Sequence, residues 1–226
     1  MISCQILPFY NQTEAPVGKV RVAGFGVSID GFGAGPDQSL EHPLGERGQE
    51  LHSWFYPTRT FRSMIGKEGG TDDRFARAAV EGFGAFILGR NMFGPAGDNW
   101  GGPDWKGWWG DNPPYHAPTF ILTHHARAPI AMEGGTTFHF VTDGIEAALA
   151  KAKAAAGDLD VKIGGGVSTV RQYLLAGAID EMHLALSPVV LGRGESMFAG
   201  IDLSALGYRV SEAVPMELAT HLVLTR

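Results

Sequence analysis

The sequence predicts a single α/β domain: a mainly parallel central sheet flanked by helices, with an antiparallel pair of strands added at the C-terminal end. Two short apolar runs, Ala85-Phe86-Ile87-Leu88 stopped by Gly89 and Thr119-Phe120-Ile121-Leu122-Thr123, suit strands buried on both sides. Stretches of helical period alternate with such runs through most of the chain. Near the end the alternation stops, and the segments 208–213 and 218–224 follow as two strands with no helix between them.

The elements follow in order. Residues 19–28 are rich in β-branched and apolar side chains and break at Asp30-Gly31, a strand meeting a turn. From Pro43 to Tyr56, Leu51, Trp54 and Phe55 hold the spacing of one helical face, which predicts a first helix. Asp72 and Asp73 place negative charge at the start of a second helix that Gly82 and Gly84 end. Residues 85–88 and 119–123 are strands, joined by a connection over 94–115 that is too long for a turn and carries Trp100, Trp105, Trp108 and Trp109. These tryptophans suit a stacking platform over a flat ligand, or else a satellite core or subunit interface, where tryptophan is enriched. Residues 136–141 alternate as a strand, and Asp143 with Glu146 forms a capping-box pattern ahead of an alanine-rich helix closed by Gly157. Val161-Lys162-Ile163 is a strand running into Gly164-Gly165-Gly166, and Ser168 is placed to cap a helix whose Val170, Tyr173 and Leu174 face the core. Residues 182–186 and 189–191 extend again before the closing pair. Residues 1–19 read as an irregular N-terminal extension of this one domain.

With 44% hydrophobic residues, the 226-residue chain can bury a core without disulfides, and its single Cys4 can form none internally. A formal charge of −6 argues against nucleic acid as the main partner. No run of about 18 apolar residues suits a membrane span, and residues 1–22 lack the basic start of a secretory leader. The expectation is a cytoplasmic protein with a small-molecule substrate, no membrane and no nucleic acid. His124 and His125 lack a further ligand at metal spacing, so no metal site is expected.

The segment 163–169 carries the clearest chemistry. A strand that turns through glycines into a helix offers backbone N–H groups and a positive dipole end to an anion, and a cofactor pyrophosphate is the natural guest. Gly164, Gly165 and Gly166 allow close approach; Val167 begins the helix, and Ser168 or Thr169 can add hydroxyl donors. The alternative is a flexible loop, since residue 169 is not the glycine that a Rossmann fingerprint needs.

Ile163-Gly164-Gly165-Gly166, then residues 176–181 and 188–198, resemble the C-terminal half of dihydrofolate-reductase-like proteins. Val27-Ser28-Ile29-Asp30-Gly31 is similar to the Ser-x-Asp-Gly turn in the reductase domain of riboflavin-biosynthesis deaminase-reductases, and Ile87-Leu88-Gly89-Arg90 resembles the Gly-Arg turn that contacts NADPH phosphates in this superfamily. The resemblance implies that NADPH lies against Val27, Gly89, Arg90, Thr123, His124 and residues 164–169, often with a cis Gly-Gly peptide, and that Arg90 or Arg127 grips the 2′-phosphate. It places the substrate near Ser28, Gly31 and Trp54. Asp30, Glu50 and His52 are candidate proton sources, Asp30 being equally an ordinary turn residue. The chain also departs from the pattern. Leu51 stands where folate reductases carry an acidic residue, Gly164 where riboflavin-pathway reductases commonly carry glutamate, and Met92 where a threonine often follows the Gly-Arg turn.

The function so implied is an NADPH-dependent reductase passing hydride to a small polar substrate, like the pyrimidine reductase of riboflavin biosynthesis or dihydrofolate reductase. The resemblance further implies a homodimer. The rival readings are a non-catalytic NADP(H) or heterocycle binder of the same fold, and a carbohydrate-binding module using the tryptophans.

Overall fold

The computed structural model of the chain describes residues 18–71, 73–94, 102 and 104–226. Most of the expected N-terminal extension, with Cys4, therefore lies outside the described residues, as do Asp72 and Trp100.

Among the described residues the central sheet holds nine strands. Its parallel part is β1 (Val20–Ser28), β3 (Phe83–Gly89), β4 (Pro118–Leu122), β6 (Thr137–Val141), β7 (Asp160–Gly165) and β8 (Glu181–Ser187). At one edge β10 (Arg209–Pro215) and β11 (Thr220–Thr225) pair antiparallel and join the sheet through β8, as the closing pair of the sequence predicts. At the other edge lies the two-residue β5 (Ile130–Ala131). The order is β10-β11-β8-β1-β7-β3-β4-β6-β5. The chain thus leaves β1 for the β3-β4-β6 side, then returns to insert β7 between β1 and β3. That reversal opens a crevice at the C-terminal ends of β1, β7 and β3, where open α/β sheets bind ligands. A small second sheet, β2 (Phe32–Ala34) with β9 (Glu195–Ser196), stands beside it.

The described residues also form five α-helices: α1 (Arg59–Met64), α2 (Arg74–Ala78), α3 (Arg90–Phe93), α4 (Gly144–Ala156) and α5 (Val167–Leu175). The α4 stripe of Ala148, Ala152 and Ala156 is buried, because alanine alone lets a helix lie this close to strands. Val170, Tyr173 and Leu174 of α5 join the same core. On the opposite face Trp54 and Phe75 pack over the buried imidazoles of His183 and His221.

Four local expectations are corrected. The first helix is only a 3-10 turn over Gly48–His52 followed by further turns, because Gly45 and Arg47 take left-handed dihedrals that break any regular helix. The turns still bring Leu51 and Trp54 inward, so the apolar spacing was real while the helix was not. Asp143 caps nothing; its carboxylate meets the Lys151 ammonium at 3.2 Å instead. Gly166, not Ser168, is the N-cap of α5, which begins two residues earlier than a serine cap would allow. Residues 189–191 form no strand; the Leu191 and Gly192 N–H groups are held by Asp30. Several short elements went unread in the sequence, α1, α3, β2, β5 and β9 among them. The Thr58 hydroxyl caps α1 by accepting from Phe61 N at 3.2 Å.

Candidate active site

The crevice has two lobes that share Ala23, Gly24, Leu44, His52, Met92, Lys162 and Gly164. The first, of about 290 Å³, is the more polar of the two and backbone-rich. Its walls come from the end of β3 with α3 (Gly89 to Met92), from the β7-α5 turn (Gly164, Gly166 to Thr169) and from Gly33, Ala34, Gln38 and Glu195. Strand alternation puts Lys162 and Gly164 on one face of β7, which is why both reach the crevice. The peptide between Gly165 and Gly166 is cis.

At α5 the first intrahelical bond runs from Val170 N to Gly166 O, so the N–H groups of Val167, Ser168 and Thr169 precede the helical ladder. A Cβ on Gly166 would meet nothing within 4 Å. The space beside this backbone is therefore open on the lobe side, the shape an anion needs. Gly89, by contrast, is constrained, since a Cβ there would lie 2.3 Å from Thr169 Oγ1. Glu195 is half-buried, and burial raises its carboxyl above the usual range.

The second lobe, of about 480 Å³, is aromatic. Trp54, Phe55 and Phe61 form one wall, with Phe55 and Phe61 edge to face at 5.4 Å; Phe86, Tyr115 and Trp109 form another, with Phe86 and Tyr115 5.2 Å apart. Burial raises the Tyr115 hydroxyl to about 12. Two polar side chains stand between the lobes. The half-buried His52 is held neutral, its pKa pushed down to about 4 by burial. Lys162 Nζ donates to Ala79 O at 2.5 Å, and burial, then the nearby Arg21, lowers its pKa to about 8.

Of the residues expected at the site, Gly89, Arg90, Gly164, Gly166, Val167, Ser168, Thr169, His52 and Trp54 line the crevice. Gly165 lies within the same turn. The others do not meet there. Asp30 is exposed, its carboxylate lowered by the Ser28 hydroxyl and by the N–H groups of Gly192 and Leu191, so it fastens a loop. Glu50 points to solvent in a two-bond pair with Arg47. The Ser28 hydroxyl accepts from Phe32 N, and Gly31 N closes the turn on Ser28 O. Val27 is buried in the core. Thr123 and His124 sit past β4, where the Thr123 hydroxyl accepts from His125 N. Arg127 donates to Trp105 O and lies over Phe93 and Phe140. Trp105 and Trp108 donate to Phe93 O and Asn91 O, so these two build a satellite core that braces α3 while Trp109 faces the aromatic lobe. Among the described residues no metal-ligand cluster occurs, and no helix is long and apolar enough to cross a membrane.

Sequence reasoning missed Lys162, although a lysine inside an apolar strand, two residues before the glycine turn, was a readable signal. It also missed the buried imidazole chain behind the crevice. Gly24 N donates to His183 Nδ1 at 3.1 Å, which leaves His183 Nε2 to donate to His221 Nδ1 at 2.9 Å. The chain fixes the β1 bulge at residues 23–24, whose backbone floors both lobes. His183, 3% exposed, has its pKa lowered to about 3 by burial and by the neighbouring His221. Below the unfolded value of about 6.5, the unfolded chain binds a proton that the folded chain refuses, so this stability is full above that pH and lost as pH falls. The loss is about 2 kcal/mol at pH 5. Glu195 opposes it, so the His183 share is isolated by His183→Asn, whose amide oxygen can still accept from Gly24 N. Urea unfolding at pH 7 and pH 5 is expected to show the stability difference shrinking by about that amount in the variant.

The family model of the RibD C-terminal domain matches residues 20–224. A solved putative riboflavin biosynthesis protein from Shewanella sp. PV-4 is 24% identical, with 92% of this chain and 97% of that one covered and a TM-score of 0.56. A deaminase/5-amino-6-(5-phosphoribosylamino)uracil reductase from Thermotoga maritima is 14% identical, with 94% of this chain but 57% of that one covered and a TM-score of 0.47. A dihydrofolate reductase from Enterococcus faecalis complexed with NADP(H) is 20% identical over 63% of this chain and 73% of that one, with a TM-score of 0.41. No curated protein matches.

Proposed function

Because the chain belongs to the family of the RibD C-terminal domain, we propose that it is an NADPH-dependent reductase, with the dinucleotide in the polar lobe and the substrate in the aromatic one. The observation that carries this reading is the join between the lobes, where Gly24, His52 and Lys162 face both. The residues fit the cofactor. The free N–H groups of residues 167–169 and the bare Gly166 would cradle a pyrophosphate, and Arg90 on the same wall is placed for a phosphate. When bound, the nicotinamide supplies hydride.

The chain's own part is orientation, exclusion of water and a proton. The aromatic walls of the second lobe hold a ring in place and keep water from it. His52 is neutral across the ordinary pH range and so serves as a hydrogen-bonding side chain, not a proton source, whereas Lys162 still carries its proton at pH 7. The test is a titration of purified protein with NADPH and with NADH, read by tryptophan fluorescence, since Trp54 and Trp109 border the lobe next door. Saturable quenching by NADPH in the micromolar range is expected, and no response to either nucleotide would remove the reductase reading.

A further inference from the structure

We propose that the aromatic lobe takes a flat, uncharged ring system bearing a ketone or imine, that Lys162 grips and protonates that group, and that phosphorylated substrates are excluded. The inference rests on the reading of the polar lobe as the dinucleotide's. Three observations carry it.

The first is composition. Walls of Trp54, Phe55, Phe61, Phe86 and Tyr115 offer ring faces and edges and few hydrogen bonds, which suits an apolar planar body. The second is charge. Lys162 is the lobe's one lysine or arginine among the described residues, and the segments outside them contain neither type. A sugar phosphate, with its dianion, would need several such donors. The third is placement. Lys162 Nζ gives one of its donors to Ala79 O and has two left, and its side chain borders both lobes. A single oxygen or nitrogen at the lobe's inner end can take one of them.

The step balances with one reductant, a reduced nicotinamide dinucleotide. As hydride reaches the carbonyl carbon, the C=O π pair moves to oxygen and the proton leaves Lys162 Nζ to form O–H. C=O becomes CH–OH, and the neutral amine recovers a proton from water.

The test uses isatin as a flat uncharged ketone and uridine monophosphate as a phosphorylated pyrimidine riboside. Binding to the full chain without nucleotide is read by tryptophan fluorescence. Isatin is expected to bind at least about 10-fold more tightly than the nucleotide, and Lys162→Met to weaken isatin by about 10-fold, the usual size for loss of a charged hydrogen bond. Lys162→Arg keeps the grip but cannot surrender a proton, so it should bind isatin near normally. With NADPH present, it should lower kcat by about 100-fold and abolish the fall in rate expected of the wild type above about pH 8. Circular dichroism checks that each variant folds. Tighter binding of the phosphorylated probe, or unchanged isatin binding in Lys162→Met, overturns the proposal. So does an alkaline limb that survives in Lys162→Arg. Isatin binding does not depend on the cofactor, so a failure of NADPH to bind would count against the reductase reading alone.

Discussion

Gly166→Asp is expected to weaken NADPH binding by at least about 1,000-fold, or about 4 kcal/mol, the scale of a like charge set against a buried anion. The position separates binding from folding unusually well. Gly166 has φ −68° and ψ −168°, extended backbone open to any residue, and its Cβ direction is empty. As the N-cap of α5 it is also where aspartate is favoured, because the carboxylate accepts from N–H groups of the first turn. The same groups are the ones assigned to the pyrophosphate, so the new side chain competes directly for them. The melting temperature should therefore hold or rise while binding fails. Gly166→Asn has the same shape without the charge, and the gap between the two variants gives the electrostatic share. Binding by Gly166→Asp at wild-type strength would remove the pyrophosphate from this turn.

Gly24→Val is the expected largest loss of stability, about 3 to 4 kcal/mol. Gly24 sits in the β1 bulge with φ +71°, a region that costs a β-branched residue on the order of 1–3 kcal/mol. A Cβ there would also lie 2.7 Å from the Ala79 Cβ, which adds overpacking of about 1–3 kcal/mol. The two causes can be separated. Ala79→Gly removes the overlap and leaves the dihedral cost, so the double-mutant cycle should show a coupling of about 1 kcal/mol or more in urea unfolding. Additive effects would mean that the bulge shifts to avoid Ala79. A valine tolerated at no cost would mean that the bulge is not rigid.

How much of this was legible depended on whether a feature is local. The strands at 83–89 and 118–122 declare themselves because both faces are covered, which yields nearly unbroken apolar runs, the first ended by Gly89. The glycine turn at 164–166 was readable because its neighbours in sequence, a strand and a helix, are also its neighbours in space. The aromatic lobe was not, since Trp54, Phe61, Phe86 and Tyr115 come from four segments that meet only in the folded chain. Asp30 illustrates the converse. Its turn was read correctly, yet its carboxylate is spent on residues 191 and 192, partnerships across 161 and 162 positions that no local pattern encodes. The false first helix has a similar origin. Successive tight turns can place Leu51 and Trp54 inward with helical spacing, and it is the left-handed Gly45 and Arg47 that show the backbone does otherwise.

The most direct measurement is a crystal structure of the chain with NADP⁺. The expected complex has the pyrophosphate against the N–H groups of residues 167–169 and the nicotinamide at the join between the lobes, facing His52 and Lys162, with the aromatic lobe left open for substrate. A nicotinamide that points away from Lys162, or a nucleotide whose rings fill the aromatic lobe, would contradict the division of the crevice into cofactor and substrate halves.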